Sequence, residues 1–428
     1  MKHISEITSV QISQQPEQGL LPPQLAGRVA MAGHRAALEW APEEIERKRC
    51  LDPIHYPLAQ GLIEARGDLF GGLHGFLADS LPDAWGMRLL ARRLRREGIA
   101  LGALTCVQRL SLVGHYGRGA LVYDPCFDGD DAASLSMTAP DIDDLARAAH
   151  MILTDNGEQG EAVTSRLLEL LGSGSGGARP KAHVELDGEA WIVKFPGLSD
   201  PADIGPIEQA YMQMAAASGL DVTTSCLLPS SRGPGWFATK RFDRVSEVQA
   251  GTRGKTEKEP RGGRIHMVSL CGAIEAPSGI SAIGYDTFMR ATLAITRNVQ
   301  DVEAVFLRMI FNILVCNRDD HSRQHAYLQN ETGAWRLAPA FDLTYSHGPG
   351  GEHELDIDGE AKRPTRAHVA NLAKRHGVSN KTLEQIIEQV RAATSQWDEI
   401  ASLAGVYTPT RLEISRAITR IYGEFQAR

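Results

Sequence analysis

The sequence predicts a mixed α/β (α+β) fold, with strands prominent in its N-terminal half and helices in its C-terminal part. Three observations carry this. Short β-like stretches separated by turns fill roughly the first 55 residues, where GRVAMAGHRAALEW reads as a hairpin. An Asp187-Gly188 dipeptide joins two strand-like runs, Ala182 to Leu186 and Ala190 to Phe195, and Asp-Gly between such runs favours a tight hairpin. From about residue 284 onward the spacing is mostly helical, broken by one hairpin near residue 330.

The chain has 428 residues, 43% of them hydrophobic and 23% charged. That is enough apolar material for two or three packed units rather than one. A net charge of −8 and a pI near 6.0 exclude a global basic field for nucleic acid, although a local patch stays compatible. The start, MKHISEITSVQISQQ, lacks a signal-peptide core. No run of about 18 uninterrupted apolar residues occurs. The expectation is a soluble, cytoplasmic protein with no membrane contact. Cys50, Cys106, Cys126, Cys226, Cys271 and Cys316 are scattered without a CxxC pair. They are expected to be buried, reduced thiols rather than zinc ligands or redox pairs.

SLPDAWGMRLLARRLRREG reads as a helix, with Ser80 as N-cap, Pro82 in the first turn and Gly98 as its stop. Leu89, Leu90 and Leu94 share one side, while Arg88, Arg92, Arg93, Arg95 and Arg96 cover much of the rest. That basic face is either solvated or a docking face for an acidic partner or nucleic acid. FDGDDAASLSMTAP, residues 127–140, is a boundary candidate. Residues 245–264 are rich in glycine and charge and read as a mobile surface insertion. The expected domains are 1–135, 136–245, the insertion 246–264, and a helical part 265–428.

Chemistry begins at LGSGSGGARPKAHVELDGEAWIVKFPG. Gly172, Gly174, Gly176 and Gly177 alternate with Ser173 and Ser175. Such a loop lets backbone N–H groups approach a phosphate, with the hydroxyls as further donors; a flexible linker has the same composition. In the strand that follows, Trp191, Val193 and Phe195 share one face and Lys194 points to the other. A lysine in so apolar a strand needs an anion unless it reaches solvent at an edge. Glu208 lies fourteen residues on, near the start of a helix predicted over Ile207 to Ser218. Kinases hold a strand lysine with a helix-borne glutamate.

The segment FNILVCNRDDHSRQHAYLQNETGAWRLAPAFDLTYS decides the reading. An apolar run, Val305 to Cys316, ends in a polar loop with Asn317, Asp319, Asp320 and His321. Two short strands follow, Ala326 to Gln329 and Trp335 to Leu337, and then Asp342. In kinases one loop aspartate orients or deprotonates the attacking hydroxyl. An amide five residues on helps hold metal, and a second aspartate beyond a hairpin chelates Mg²⁺. Asp319 to Gln324 is that five-residue step, and Mg²⁺ suits carboxylate, amide oxygen and water. The rival reading is a metallohydrolase that uses Asp319, Asp320, His321 and His325 as ligands, the two histidines being four apart. It leaves the glycine loop, Lys194 and Glu208 unexplained. A plain acidic surface loop is the bland alternative.

These motifs resemble the HipA family of bacterial serine/threonine kinases, the toxin halves of toxin–antitoxin pairs. FGGLHGFLADSLPDAWGMRLL and LSLVGHYGRGALVYDP resemble the family's N-terminal subdomain. GGARPKAHV, WIVKFP, KRFDR, NRDDHSRQHAYL and WRLAPAFDL follow in the family's order. The resemblance implies a protein-kinase-like fold with a small N-terminal mixed subdomain and a mostly helical C-lobe. It implies ATP and Mg²⁺ as cofactors and transfer to a protein serine or threonine. By motif, Asp319 is the catalytic aspartate, Asp342 the metal-binding one and Lys194 the phosphate-binding lysine with Glu208 as its partner. Gly174, Gly176 and Gly177 line the nucleotide, with His321 near the terminal phosphates. Lys240, Arg241 and Phe242 fall where the hinge meets adenine. The family's autophosphorylated loop serine makes Ser173 and Ser175 candidates.

Two departures stand out. Gln324 occupies the usual metal-binding asparagine's place, and Gly174 aligns where the regulatory serine is usual. The resemblance further implies a helix-turn-helix antitoxin of the HipB type, through which DNA is contacted. It also implies a translation component such as an aminoacyl-tRNA synthetase as substrate. VANLAKRHGVSNKTLEQIIEQV itself resembles a helix-turn-helix, but Glu384 and Glu388 on its second helix suit phosphate contact poorly. A helical pair within the C-lobe is the expectation. The alternative from another class is a catalytically weak relative that serves as corepressor with a DNA-binding antitoxin.

Overall fold

The structure is a computed structural model that describes residues 4–19, 21–127, 139–154, 179–245, 262–277 and 283–426. The glycine-rich loop with Gly174, Gly176, Gly177, Ser173 and Ser175 lies outside the described residues, as does most of 127–140 and of 245–264. The chain divides into two units. The first comprises Met1–Asp200, Ala238–Glu275 and Leu328–Trp335; the second comprises Pro201–Phe237, Ala276–Tyr327 and Arg336–Arg428.

The first unit opens with a five-stranded antiparallel sheet. Its strands are β1 (Ser9–Gln14), β2 (Gln24–Ala32), β3 (Arg35–Trp40), β4 (Leu62–Glu64) and β5 (Leu121–Asp124), in the order β4-β3-β2-β1-β5. The predicted hairpin is β2–β3, with Ala30 opposite Ala37 and Ala32 opposite Arg35. Val10, Ile12, Val29 and Leu38 are fully buried, the alternation that one covered sheet face requires. Among the described residues the sheet is accompanied by α1 (Pro42–Arg47), α2 (Gly75–Ala78), α3 (Ala84–Arg96), α4 (Cys106–Val113) and α5 (Ala139–Thr154). Thr105 and Gln108 close a reciprocal capping box on α4.

Helix α3 starts later than the sequence suggests. Its N-cap is Asp83, whose carboxylate accepts from Gly86 N–H at 2.7 Å, not Ser80. Ser80 hydrogen-bonds the Tyr123 hydroxyl at 2.7 Å instead. Pro82, read as first-turn, precedes the helix. Leu89 and Leu94 are buried as expected.

The motif FGGLHGFLADSLPDAWG is a hub of this unit. Asp79 takes the Ser269 backbone N–H and hydroxyl, at 2.5 and 2.7 Å. Glu275 accepts from the Gly75 N–H at 2.9 Å and from the Tyr56 hydroxyl at 2.5 Å. These bonds join α2 to β12 (His266–Ser269) and α7 (Leu270–Ile274). A Cβ on Gly75 would press into the Gly272 carbonyl oxygen, well inside van der Waals contact. Gly75→Ala is therefore expected to lower stability by about 2 kcal/mol, read as a fall in the denaturant midpoint at constant slope.

The Asp-Gly hairpin forms as predicted, from β6 (Lys181–Leu186) and β7 (Glu189–Lys194). Asp187 and Gly188 both take positive φ, 53° and 74°, as the tight primed turn demands. The Arg241 N–H donates to the Ala190 carbonyl at 2.8 Å and continues the ladder toward β9 (Trp236–Lys240). The short strands β10 (Arg244–Val245) and β11 (Gly263–Arg264) pair with each other.

The second unit is mostly helical. Helix α6 (Ile204–Ala217) begins three residues before the predicted start, so Pro206 sits inside its first turn rather than before it. That position is tolerated, because first-turn N–H groups lack helical partners. Strand β8 (Ser225–Leu228) follows. Then come α8 (Tyr285–Thr296) and α9 (Val299–Leu314), and later α10 (Arg366–Arg375), α11 (Asn380–Thr394), α12 (Trp397–Leu403) and α13 (Thr408–Gln426). Tyr285, Phe288, Phe306, Ile310 and Phe311 are fully buried, each contributing on the order of 2 kcal/mol. The helix-turn-helix-like pair is α10–α11, with Gly377 at φ 73° between them. Helix α11 packs on α9 and buries Leu383, Ile387 and Val390. Its apolar face is thus committed to the unit's own core.

The strands β13 (Ala326–Gln329) and β14 (Trp335–Leu337) have the predicted bounds. No described helix is long and apolar enough to cross a membrane. All six cysteines are outside disulfides; Cys106, Cys271 and Cys316 are buried, whereas Cys50, Cys126 and Cys226 are half-buried, contrary to expectation.

Candidate active site

In the first unit, Lys194 ends β7 and is half-buried. The register places it directly opposite Lys181, so the two side chains leave the same face of the sheet. Lys181 is buried, and its ammonium meets Asp83 at 3.1 Å. Like charges in register repel, and Asp83 supplies one compensating anion from the cap of α3. The sequence reading singled out Lys194 but not Lys181; the strand alternation around Ala182 was the available signal.

Within the KRFDR motif several side chains are tied into the fold. Lys240 pairs with Glu189 across the ladder. Asp243 is buried, with Arg241 at 2.7 and 2.9 Å, Arg244 at 2.8 Å and the Gly119 N–H at 2.8 Å. Burial opposes its charge, but the two guanidiniums overcome that and hold the carboxyl far below its usual range. Arg241 also meets His183 Nδ1 at 2.7 Å. Phe242 is half-buried between these anchors.

The second unit holds Glu208, buried in α6, and the loop that follows α9. Helix α9 ends at Leu314, and Cys316 then takes φ 57°. That left-handed turn breaks the helix and throws Asn317 to His321 out as a loop. Asp319 is half-exposed, and His321 Nε2 lies 3.8 Å from its Oδ1. The Arg323 N–H donates to His321 Nδ1 at 3.2 Å. A neutral His321 therefore carries its proton on Nε2, the side that faces Asp319. Gln324 sits in a single 3₁₀ turn, Ser322–Gln324, and is buried. Its amide meets Asp342 Oδ2 at 2.5 Å. Asp342 also adopts φ 57°, a conformation that costs roughly 1 to 3 kcal/mol in a residue other than glycine and that clusters at functional sites. Asp319 with His321, and Gln324 with Asp342, are thus brought together.

Asp320 departs from the rival metal-ligand reading. Its carboxylate is buried and receives the Tyr285 hydroxyl at 2.8 Å, His353 Nδ1 at 3.0 Å and the Glu354 N–H at 2.9 Å. Burial alone would raise its pKa; His353 and these hydrogen bonds bring it below the usual range. Asn312 donates to the Tyr285 oxygen, and Asn317 donates to Asn312, both at 2.9 Å. His325 is stacked on Phe288 and gives its Nε2 proton to the Asp320 carbonyl at 3.2 Å. Burial, aided by Arg308, pushes its pKa down to about 3. Among the described residues no group of three or more His, Cys, Asp or Glu converges to hold a metal. The sequence reading missed Tyr285, Asn312 and His353, which lie far apart in the chain and join only through Asp320.

Comparison with known proteins follows from this geometry. Residues 173–397 match the family described as the HipA-like C-terminal domain, and residues 20–124 match the HipA N-terminal domain. The chain belongs to the HipA family. This HipA-family chain is similar to the HipA of Shewanella oneidensis MR-1, solved in a complex with HipB and its operator DNA. The identity is 15%, the TM-score 0.66, and 96% of each chain is covered. The mixed α/β fold expected from the sequence is the fold observed, and it is shared with that HipA. The chain is also 29% identical over 161 residues to Y4mE of Sinorhizobium fredii (strain NBRC 101917 / NGR234), named as a candidate kinase. That match covers 36% of this chain and about a third, 33%, of the relative's length.

Proposed function

We propose that this HipA-family protein is an ATP- and Mg²⁺-dependent serine/threonine kinase and the toxin of a toxin–antitoxin pair. The observation that carries the reading is the Gln324–Asp342 contact beside a loop whose aspartate, Asp319, stays half-exposed. A carboxylate and an amide in contact form a donor set that fits Mg²⁺, provided the amide turns its oxygen inward. Held there by Asp342 and Gln324, Mg²⁺ would neutralise charge developing on the transferred phosphoryl group. Asp319 orients the attacking hydroxyl and accepts its proton. His321 presents its Nε2 proton toward Asp319 and the incoming phosphate. Lys194 neutralises phosphate charge, with Glu208 its family-implied partner, and the glycines 174, 176 and 177 approach the phosphates by backbone. Lys240 and Phe242 flank adenine. Ser173 and Ser175 are the autophosphorylation candidates. The proposed partner is a HipB-type antitoxin, and the proposed substrate is a translation component such as an aminoacyl-tRNA synthetase.

A second reading is favoured by the same contact. If the Gln324 amide keeps donating to Asp342, the carboxylate is occupied and the chain acts as a weak kinase serving mainly as corepressor. Gln324→Asn decides between them. If Gln324 holds Mg²⁺, shortening it raises the Mg²⁺ concentration for half-maximal phosphate transfer by about tenfold; if its amide instead occupies Asp342, shortening it frees the carboxylate and transfer rises. Labelled ATP with purified protein and a cell lysate is the assay. Transfer by wild type that is lost in Asp319→Asn supports the kinase. Absence of transfer by wild type, with activity gained in Gln324→Asn, supports the corepressor.

A further inference from the structure

The residues on either side of Asp319 face away from the chemistry and toward the segment that follows Asp342. Arg318 donates from Nη1 to the Gly351 carbonyl at 2.8 Å and from Nη2 to the Lys362 carbonyl at 3.3 Å. One guanidinium fork therefore ties two points of the same segment, and its planar geometry suits that double role. Asp320 takes the His353 ring and the Glu354 N–H from between those points. The His353 N–H closes the loop on the Ala361 carbonyl at 2.8 Å. At the segment's start, Asn317 and Ser346 form a parallel bridge. The Arg318 N–H reaches the Ser346 carbonyl at 3.2 Å, and the Ser346 N–H reaches the Cys316 carbonyl at 2.9 Å. The Tyr285 N–H holds the Asp356 carbonyl at 2.9 Å, while its hydroxyl holds Asp320.

In many kinases the stretch after the metal-binding aspartate is ordered only when a phosphate added to it pairs with arginine. Here the arginine next to the loop aspartate is occupied by backbone carbonyls. Beneath the segment lies a buried carboxylate, Asp320, which would repel a phosphate. Between residues 343 and 363 the only hydroxyls are Thr344, Tyr345 and Ser346. Thr344 is buried, and the Ser346 backbone is already paired to the loop.

We propose that Arg318 and Asp320 are positioning residues that clamp the segment 346–362 onto the catalytic loop. The clamp needs no modification of the segment and keeps Asp319 set for reaction. This rests on the kinase reading for its consequence but not for its geometry.

Hydrogen exchange on the full chain tests the geometry. In wild type the Ser346, His353, Glu354 and Ile357 amides are expected to exchange slowly, before and after phosphatase treatment. In Asp320→Asn and Arg318→Ala they should exchange at least about tenfold faster, with the α9 amides unchanged. Arg318 is part-exposed, so its variant carries the test if Asp320→Asn does not fold. Steady-state phosphate transfer tests the consequence. The variants should lose roughly 100-fold in kcat, with KM for ATP within about twofold of wild type. Arg318→Lys, which keeps charge but not the fork, should rescue little. Fast exchange of 346–362 in wild type, or loss of its protection on phosphatase treatment, overturns the clamp. So does an unchanged kcat in a variant whose segment has been released. If wild type transfers no phosphate at all, the kinase reading fails, and exchange alone still decides whether the clamp exists.

Discussion

Asp319→Asn is expected to reduce phosphate transfer by about 10³-fold while the melting temperature stays close to that of wild type. The two halves of that result have separate causes. Asp319 is half-exposed, so its carboxylate contributes little burial energy, and the substitution preserves shape. The loop is held by its neighbour: Asp320 is buried and accepts three hydrogen bonds. An amide at 319 can still lie near a hydroxyl, but it cannot accept a proton. Transfer rates and calorimetry on the same preparation check both halves. A variant that keeps its rate would remove Asp319 from the mechanism; one that melts far lower would show that the carboxylate serves the fold.

The second large effect lies in the first unit and concerns stability. Asp243→Ala leaves buried Arg241 and half-buried Arg244 without their carboxylate, and breaking a buried pair from one side costs roughly 3 to 5 kcal/mol. The same group shapes the response to acid. Its carboxyl is held far below the unfolded value by two guanidiniums. The stability it contributes is present above the unfolded pKa and is lost as pH falls toward the folded one. Buried histidines act in the same direction. His266 and His325 stay neutral in the folded chain down to about 4 and about 3, yet take protons near 6.5 once unfolded. Between those values the unfolded chain binds more protons, so stability falls as pH drops. Melting temperatures measured from pH 7 to pH 4 should decline steadily. The Asp243→Ala chain should start lower at pH 7, and its deficit should persist down to the unfolded carboxyl's pKa, about 3.9, and narrow below it.

Much of this was legible in the residues, for local reasons. The Asp-Gly turn set the β6–β7 hairpin because only a primed turn fits two residues between twisted strands. The β13 and β14 bounds were readable because a turn containing Gly333 separates the two strand-like runs. The spacing from Asp319 to Gln324 and on to Asp342 put the loop on the page before any coordinates. What stayed hidden depended on contacts between distant positions. Asp83 caps α3 because Lys181 and Gly86 both call on its carboxylate, whereas Ser80 was taken by Tyr123. Helix α6 starts early because Pro206 fits within its first turn. Asp320 looked like a ligand beside Asp319, and only Tyr285 and His353, 35 and 33 residues away, reveal it as a buried anchor.

The left-handed backbone at Asp342 has a consequence for anyone probing that residue. On the kinase reading two requirements meet there, a negative charge and a φ of 57°, and alanine violates both at once. A dead Asp342→Ala chain could therefore report a twisted main chain as readily as a missing charge. Asparagine tolerates the same backbone while removing the charge, and glycine keeps the freedom while removing the side chain altogether. Used side by side, these two replacements separate the electrostatic demand from the conformational one.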